Sequence, residues 1–235
     1  MLHFEQLEPR QLLSCVVSDR GSSVNVRVDG ELLIEETDFG DMSVICLDDG
    51  VVTFEQDFEF VSRLNVRGGS GEDQVYVSLF GFAPLRLNIS TYAGDDVVNV
   101  VADEIAERSY YRLRLGSGDD AASVIVDGDI ASNFSVSIDG NTGNDVIDVL
   151  TFGLIVDGRA HVNVVMGDGA DSTRLFMRTD DGLFQPLVRV NGGAGLDVVE
   201  VDEFLSQRGL VDTPLVEVVE LVPRCSPDDL LCEES

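Results

Sequence analysis

"NGGAGLDVVEV", residues 191–201, sets three glycines and an aspartate just ahead of alternating valines. A single copy fits an anion cradle, a cation-binding turn or a tight corner. The phrase, however, recurs. It returns as "GGSGEDQVYV" from Gly68, "TYAGDDVVNV" from Thr91, "LGSGDDAASV" from Leu115, "GNTGNDVIDV" from Gly140 and "MGDGADSTRL" from Met166. Aligned on the final aspartate, the copies fall at Asp73, Asp96, Asp120, Asp145, Asp171 and Asp197, at intervals of 23, 24, 25, 26 and 26 residues. Glycine stands two residues before each of them. Repetition at a near-constant period is the signature of a repeat architecture.

The flanks give the local structure. Two and four residues after each aspartate come Val75/Val77, Val98/Val100, Ala122/Val124, Ile147/Val149, Thr173/Leu175 and Val199/Val201. Nine and seven residues before it come Leu64/Val66, Leu87/Ile89, Tyr111/Leu113, Val136/Ile138, Val162/Val164 and Val188/Val190. Alternation on both sides of a glycine corner reads as strand, turn, strand. A unit of ~24 residues with two short strands cannot bury both apolar faces alone, but stacking units in parallel buries one continuous core. The sequence therefore predicts an all-β parallel β-solenoid, β-helix or β-roll in type. It would have about six to seven coils, with one Gly-x-Asp corner per coil. Antiparallel meanders would not repeat one corner for every two strands. The spacing drifts only in the loop opposite the corner, so register is expected to be held at the corner and relaxed across from it.

Three regions follow. Residues 1–20 read as an N-terminal targeting segment, 21–222 as the solenoid and 223–235 as a polar tail. Within the solenoid an irregular first coil is expected, with Asp41 as a degenerate corner. "PLVEVVELVP" would supply a last return strand.

The chain carries 44 acidic residues against 15 basic ones, a net charge of −29, and every basic residue is arginine. Such a chain repels nucleic acid and acidic membrane surfaces and attracts cations. No apolar run approaches the roughly 18–20 residues of a membrane span. Four cysteines, Cys15, Cys46, Cys225 and Cys232, match no zinc pattern. Disulfides, with three connectivities open, suit an exported protein; small buried thiols are the equal alternative. With two histidines, His3 and His161, the stock for acid–base catalysis is thin. The acids recur with the structural period, whereas a catalytic cleft needs a local, non-repeating constellation. No enzyme activity is expected. A polysaccharide lyase or hydrolase on a β-helix is the alternative, raised by fold analogy alone.

The corner itself has two readings. Glycines expose backbone carbonyls, and aspartates stacked one coil apart offer the hard oxygens that calcium prefers. Carboxylates about 5 Å apart repel by roughly 1 kcal/mol in water and by several at an effective dielectric of 20. In the other reading, each aspartate accepts hydrogen bonds from the N–H groups of its own turn and needs no metal. Glu72, Asp95 and Asp119 crowd further acid beside the first three copies, which favours calcium, held by Asp73, Asp96, Asp120, Asp145, Asp171 and Asp197.

These corners carry a resemblance. "GGSGEDQVY" and "GNTGNDVID" are similar to the nonapeptide of haemolysin-type (RTX) calcium-binding repeats, which implies a β-roll with calcium between stacked turns. "FEQLEPRQLLS", residues 4–14, resembles the LEPR-XLL segment of bacterial surface and secreted proteins through Leu7, Glu8, Pro9, Arg10, Leu12 and Leu13. That resemblance implies an extracellular or cell-surface location. An ordinary signal peptide is not confirmed, because Glu5, Glu8 and Arg10 interrupt any apolar stretch. For the same reason "LLSC" is not expected to be lipidated at Cys15.

Arg63, Arg67, Arg86, Arg112, Arg114 and Arg189 fall at even offsets before their aspartates, opposite in parity to the buried pairs. They should form a basic stripe on the outer face of the return strands. The stripe either offsets acid and blunts the sheet or meets acidic polysaccharide through bidentate guanidinium groups. The partners expected are acidic polysaccharide or other surface proteins, with no nucleic acid and no membrane span. The function expected is a calcium-stabilised structural or adhesion module.

Overall fold

A computed structural model describes residues 15–38, 40–156, 158–179, 186–202, 211–212 and 218–222. The alternating segments are strands, and no helix occurs among the described residues. The chain opens with β1 (Cys15–Asp19), β2 (Ser23–Val28), β3 (Glu31–Asp38), β4 (Asp41–Asp48) and β5 (Val51–Phe58). From there each coil adds one strand on each side of its corner. These pairs are β6 (Arg63–Arg67) and β7 (Gln74–Leu79), β8 (Arg86–Ala93) and β9 (Val97–Ala102), and β10 (Ser109–Ser117) and β11 (Ala121–Val126). Next come β12 (Phe134–Thr142) and β13 (Val146–Ile155), then β14 (Ala160–Asp168) and β15 (Ser172–Thr179). β16 (Leu187–Ala194) and β17 (Val198–Asp202) are followed by β18 (Val211–Asp212) and β19 (Val218–Val222).

Strands before the corners form one sheet, in the order β1-β2-β6-β8-β10-β12-β14-β16-β18. Strands after the corners form a second, in the order β19-β17-β15-β13-β11-β9-β7-β3-β4-β5. Every pairing from β6 to β19 is parallel, and equivalent residues stack, such as Leu64 on Leu87 and Val98 on Ala122. This is a parallel β-solenoid. The six corners bound about five turns, slightly fewer than the six to seven coils expected; β2/β3 precede them and β18/β19 follow. Every inward pair read from the sequence is buried, from Leu64 and Val66 through to Val199 and Val201. Tyr111 and Phe134, among the largest fully buried side chains, pack edge to face with ring centroids 5.2 Å apart.

The N-terminal end departs from expectation. The first corner is Asp29-Gly30, between β2 and β3, and not Asp41, which opens β4. β3, β4 and β5 run antiparallel and close the edge of the second sheet, while β1 closes the first. A disulfide joins Cys15 of β1 to Cys46 of β4, tying the two caps across the core. Cys225 and Cys232 lie outside the described residues. The segment expected as a last return strand instead places β19 against β17 in the second sheet.

The side opposite the corner is also more ordered than the spacing suggested. Ile105, Ile130 and Ile155 stack as parallel bridges and are fully buried. Asp129 accepts the Leu154 N–H at 2.8 Å beside them. Across three successive coils this column holds a second register, so only the outer part of that loop absorbs the extra residues.

Candidate functional site: the stacked Gly-Asp corner

The corner joins the two sheets, and at this bend one backbone N–H in each coil points along the solenoid axis with no carbonyl opposite. The aspartate of the next coil fills that place. Gly30 N–H donates to Asp73 Oδ1 at 2.8 Å, Asp73 N–H to Asp96 at 2.7 Å, and Asp96 N–H to Asp120 at 2.8 Å. Asp120 N–H then donates to Asp145 at 3.0 Å, Asp145 to Asp171 at 2.7 Å and Asp171 to Asp197 at 3.2 Å. All six sequence-predicted residues therefore come together in one column, and none is more than 2 % exposed. The backbone carbonyls of the ladder residues from Asp73 to Asp171 are used as well: Asp73 O accepts from Val97 N–H at 2.8 Å, and Asp96 O from Ala121 N–H at 2.8 Å. The bonds run between coils. The own-turn bonding anticipated for the metal-free reading occurs at Asp73, whose Oδ2 accepts the Gly69 N–H at 2.7 Å.

The glycines two residues earlier have a steric reason. Gly143 sits at φ +135°, and a Cβ there would run into the Gly118 carbonyl oxygen of the coil below. Gly195, at φ +149°, would meet the Gly169 carbonyl in the same way. Where the first glycine of the phrase is replaced, Tyr92 and Asn141 still take φ +78°. Such a conformation costs on the order of 1–3 kcal/mol for a residue with a Cβ. The stacking geometry thus overrides local preference.

Reasoning from sequence missed a second, outer ladder that runs the opposite way. Asp95 Oδ1 accepts the Asp119 N–H at 2.9 Å, Asp119 Oδ1 accepts the Asn144 N–H at 2.8 Å, and Asn144 Oδ1 accepts the Ala170 N–H at 3.0 Å. The signal was present as an acid or Asn just before the ladder aspartate. It was read as crowding in need of a cation, yet Asp95 and Asp119 already accept backbone donors.

Electrostatically the inner ladder is costly. The Oδ2 atoms of Asp96, Asp120, Asp145 and Asp171 are buried with no hydrogen-bond partner. Burial pushes the Asp120 carboxyl up to about 7, with the Asp145 and Asp96 charges adding to the rise against the bond from Asp96 N–H. Burial likewise takes Asp145 to about 6 and raises Asp73 and Asp171. These unpartnered oxygens are the atoms that a cation or a proton would meet. In charge they fit calcium. In number they do not reach its six to eight oxygens by themselves, and no group of three or more His, Cys, Asp or Glu gathers around one point among the described residues.

The six arginines of the stripe stand exposed on the outer face of the first sheet, where Arg27 of β2 joins them. His161 is exposed on the same face, stacked next to Ser135. No helix among the described residues is long and apolar enough to cross a membrane. The chain matches no family model, no curated protein and no solved structure.

Proposed function

We propose that this chain is a non-enzymatic structural module of an extracellular or cell-surface protein, a rigid rod that carries its charged faces in fixed register. One observation carries the reading. The acids of the corner repeat with the coil, and their oxygens bond the backbone of the neighbouring coil, so the motif's chemistry is spent on stacking. The Cys15–Cys46 disulfide supports an oxidising compartment, as does the LEPR-XLL-like segment.

The charge of the ladder can be neutralised in two ways. Calcium, implied by the RTX-like phrase, would draw on the unpartnered Oδ2 atoms of Asp96, Asp120, Asp145 and Asp171. Protons would do the same without a metal. That second reading is favoured by the bonds that already occupy Oδ1 and by the raised carboxyls.

Thermal melting in millimolar calcium, magnesium or chelator separates the two, on the parent, Asp96→Ala and Asp197→Ala. Calcium bound to the folded state alone adds about 2.7 kcal/mol at a hundred times its dissociation constant. The calcium reading requires a calcium-specific rise in the parent, mostly lost in Asp96→Ala and largely kept in Asp197→Ala. Equal melting in calcium and chelator leaves the metal-free solenoid. If Asp96→Ala melts as the parent does in chelator, the ladder does not hold the coils and the structural reading fails.

A further inference from the structure

The first sheet reverses the charge of the chain. Overall, acids outnumber arginines 44 to 15. On the outward positions of the return strands from β2 to β16 there are seven arginines and His161 against one acid, Asp139, with Asp168 exposed at the corner end of β14. The face also carries an amide row, in which Asn88 Nδ2 donates to Asn65 Oδ1 at 2.9 Å and Asn65 Nδ2 to Asn25 Oδ1 at 3.0 Å. The ion pair of Arg174 with Asp148, at 2.6 Å, lies on the other sheet.

Along one edge of this face runs a groove of about 630 Å³ with no carboxylate in its lining. Arg86, Tyr110 and His161 belong to a single register row that crosses β8, β10, β12 and β14, and Arg63 continues the row on β6. Arg108, Asn133 and Arg159, just upstream of β10, β12 and β14, line the groove as well. With coils about 4.8 Å apart, the row from Arg86 to His161 spans three spacings, about 14 Å along the solenoid axis. The Arg86 guanidinium lies over the Tyr110 ring, 5.4 Å from its centroid, which holds that cation in place.

We infer that this groove binds a segment of a linear acidic polysaccharide laid along the solenoid axis. The inference deepens the surface-module reading and rests on it for where such a polymer would be met. Guanidinium forks suit carboxylate and sulfate alike, and the Asn and Ser side chains between them suit sugar hydroxyls. Duplex nucleic acid fits less well. It carries one charge per about 1.7 Å, and the net charge of −29 repels so dense a polyanion far more than a polymer with one charge per sugar.

The test is binding of the full chain at low salt to polygalacturonate, to a sulfated galactan with no more than one sulfate per sugar and to a duplex oligonucleotide, with probe length followed by viscosity. The parent should bind one or both polysaccharides, released by salt as surface pairing is screened, and the two probes separate carboxylate from sulfate. Arg108→Ser with Arg159→Ser should weaken binding by about tenfold, roughly 1.4 kcal/mol. Arg178→Ser, an equal charge change per residue on the other sheet, should leave it unaltered. If the double variant misfolds, Arg63→Ser replaces it, with a smaller loss expected. No binding by the parent, an equal loss in Arg178→Ser, or tighter binding of the oligonucleotide would each overturn the inference. Shortening of a bound probe would keep the groove and overturn the non-enzymatic reading, whereas binding without shortening supports both.

Discussion

Asp120→Asn is the perturbation that most directly weighs the ladder. The amide oxygen still accepts the Asp96 N–H, so the coil-to-coil bond of 2.8 Å is kept. What changes is Oδ2, a buried oxygen without a partner, which becomes an NH2 group. Because the folded carboxyl sits above its unfolded value, 3.8 against about 7, folding takes up a proton as pH rises through that window. The stabilisation that goes with the proton is fully present below about pH 4 and lost as pH passes about 7. At about 1.4 kcal/mol per pH unit, the swing is on the order of 4 kcal/mol. The amide cannot lose charge with pH, but it brings unsatisfied donors that cost about 1–3 kcal/mol at every pH.

The two stability curves should therefore cross. In chelator, the variant should be the less stable chain at about pH 4 and the more stable one at about pH 8. Urea midpoints at several pH values, with m checked for constancy, measure the difference. Taking the difference also cancels the general repulsion of the many surface acids, which weakens the parent at high pH for a separate reason. A variant destabilised equally at both ends would mean that folding does not raise the Asp120 carboxyl, and the dry, costly ladder would be refuted.

Gly143→Ala should abolish or strongly destabilise folding, because the added methyl meets a backbone carbonyl that cannot move without separating two coils. Gly21→Ala, at φ +66° with open space around it, should cost only the backbone strain, roughly 1 kcal/mol; circular-dichroism melts of the pair would expose any error by showing equal losses. Cys46→Ser removes a crosslink between residues 31 apart in sequence. Loop entropy puts its loss near 3–4 kcal/mol, and reductant should lower the melting temperature of the parent but not of the variant.

The repeat was legible because its causes are local. A glycine that must stack on a carbonyl and an aspartate that must reach the next coil recur once per coil, and the inward pairs follow from period two alone. The N-terminal cap was not legible in the same way. Alternation in "ELLIEETD" and "DMSVICLD" looks the same whether β3 and β4 pair parallel or antiparallel. Asp41 reads from the sequence only as a degenerate corner without the glycine pattern, and the true first corner, Asp29-Gly30, lacks the Gly-x-Asp order too. Ile105, Ile130 and Ile155 did leave a signal, nine to ten residues after their aspartates, but single apolar residues in a polar loop carry little weight without the bridges that join them. The direction of a ladder bond is written in no residue type. Asp95 and Asp96 are the same letter, one accepting from the coil that follows and the other from the coil before.

That last pair also raises why the inner column holds aspartate six times and asparagine never, while the outer one accepts Asn144 beside Asp95 and Asp119. Both positions need a side-chain oxygen for a neighbouring N–H, and an amide supplies one equally well. They differ in what surrounds the second atom. Outside, the Asn144 amide nitrogen finds Asp119 Oδ1 at 3.0 Å, in contact with solvent. Inside, the equivalent Oδ2 atoms of Asp96, Asp120, Asp145 and Asp171 are buried away from solvent with no hydrogen-bond partner. A carboxyl group meets that place either as a neutral acid with one hydrogen to accommodate or as an anion with none. An amide always brings two. The choice of aspartate therefore follows from the dryness of the corner, and the same dryness sets the raised carboxyl values. On this argument the loss in Asp120→Asn at low pH measures the two stranded donors, and the gain at high pH measures the charge. A calcium ion that removed the charge would erase the gain and leave the loss.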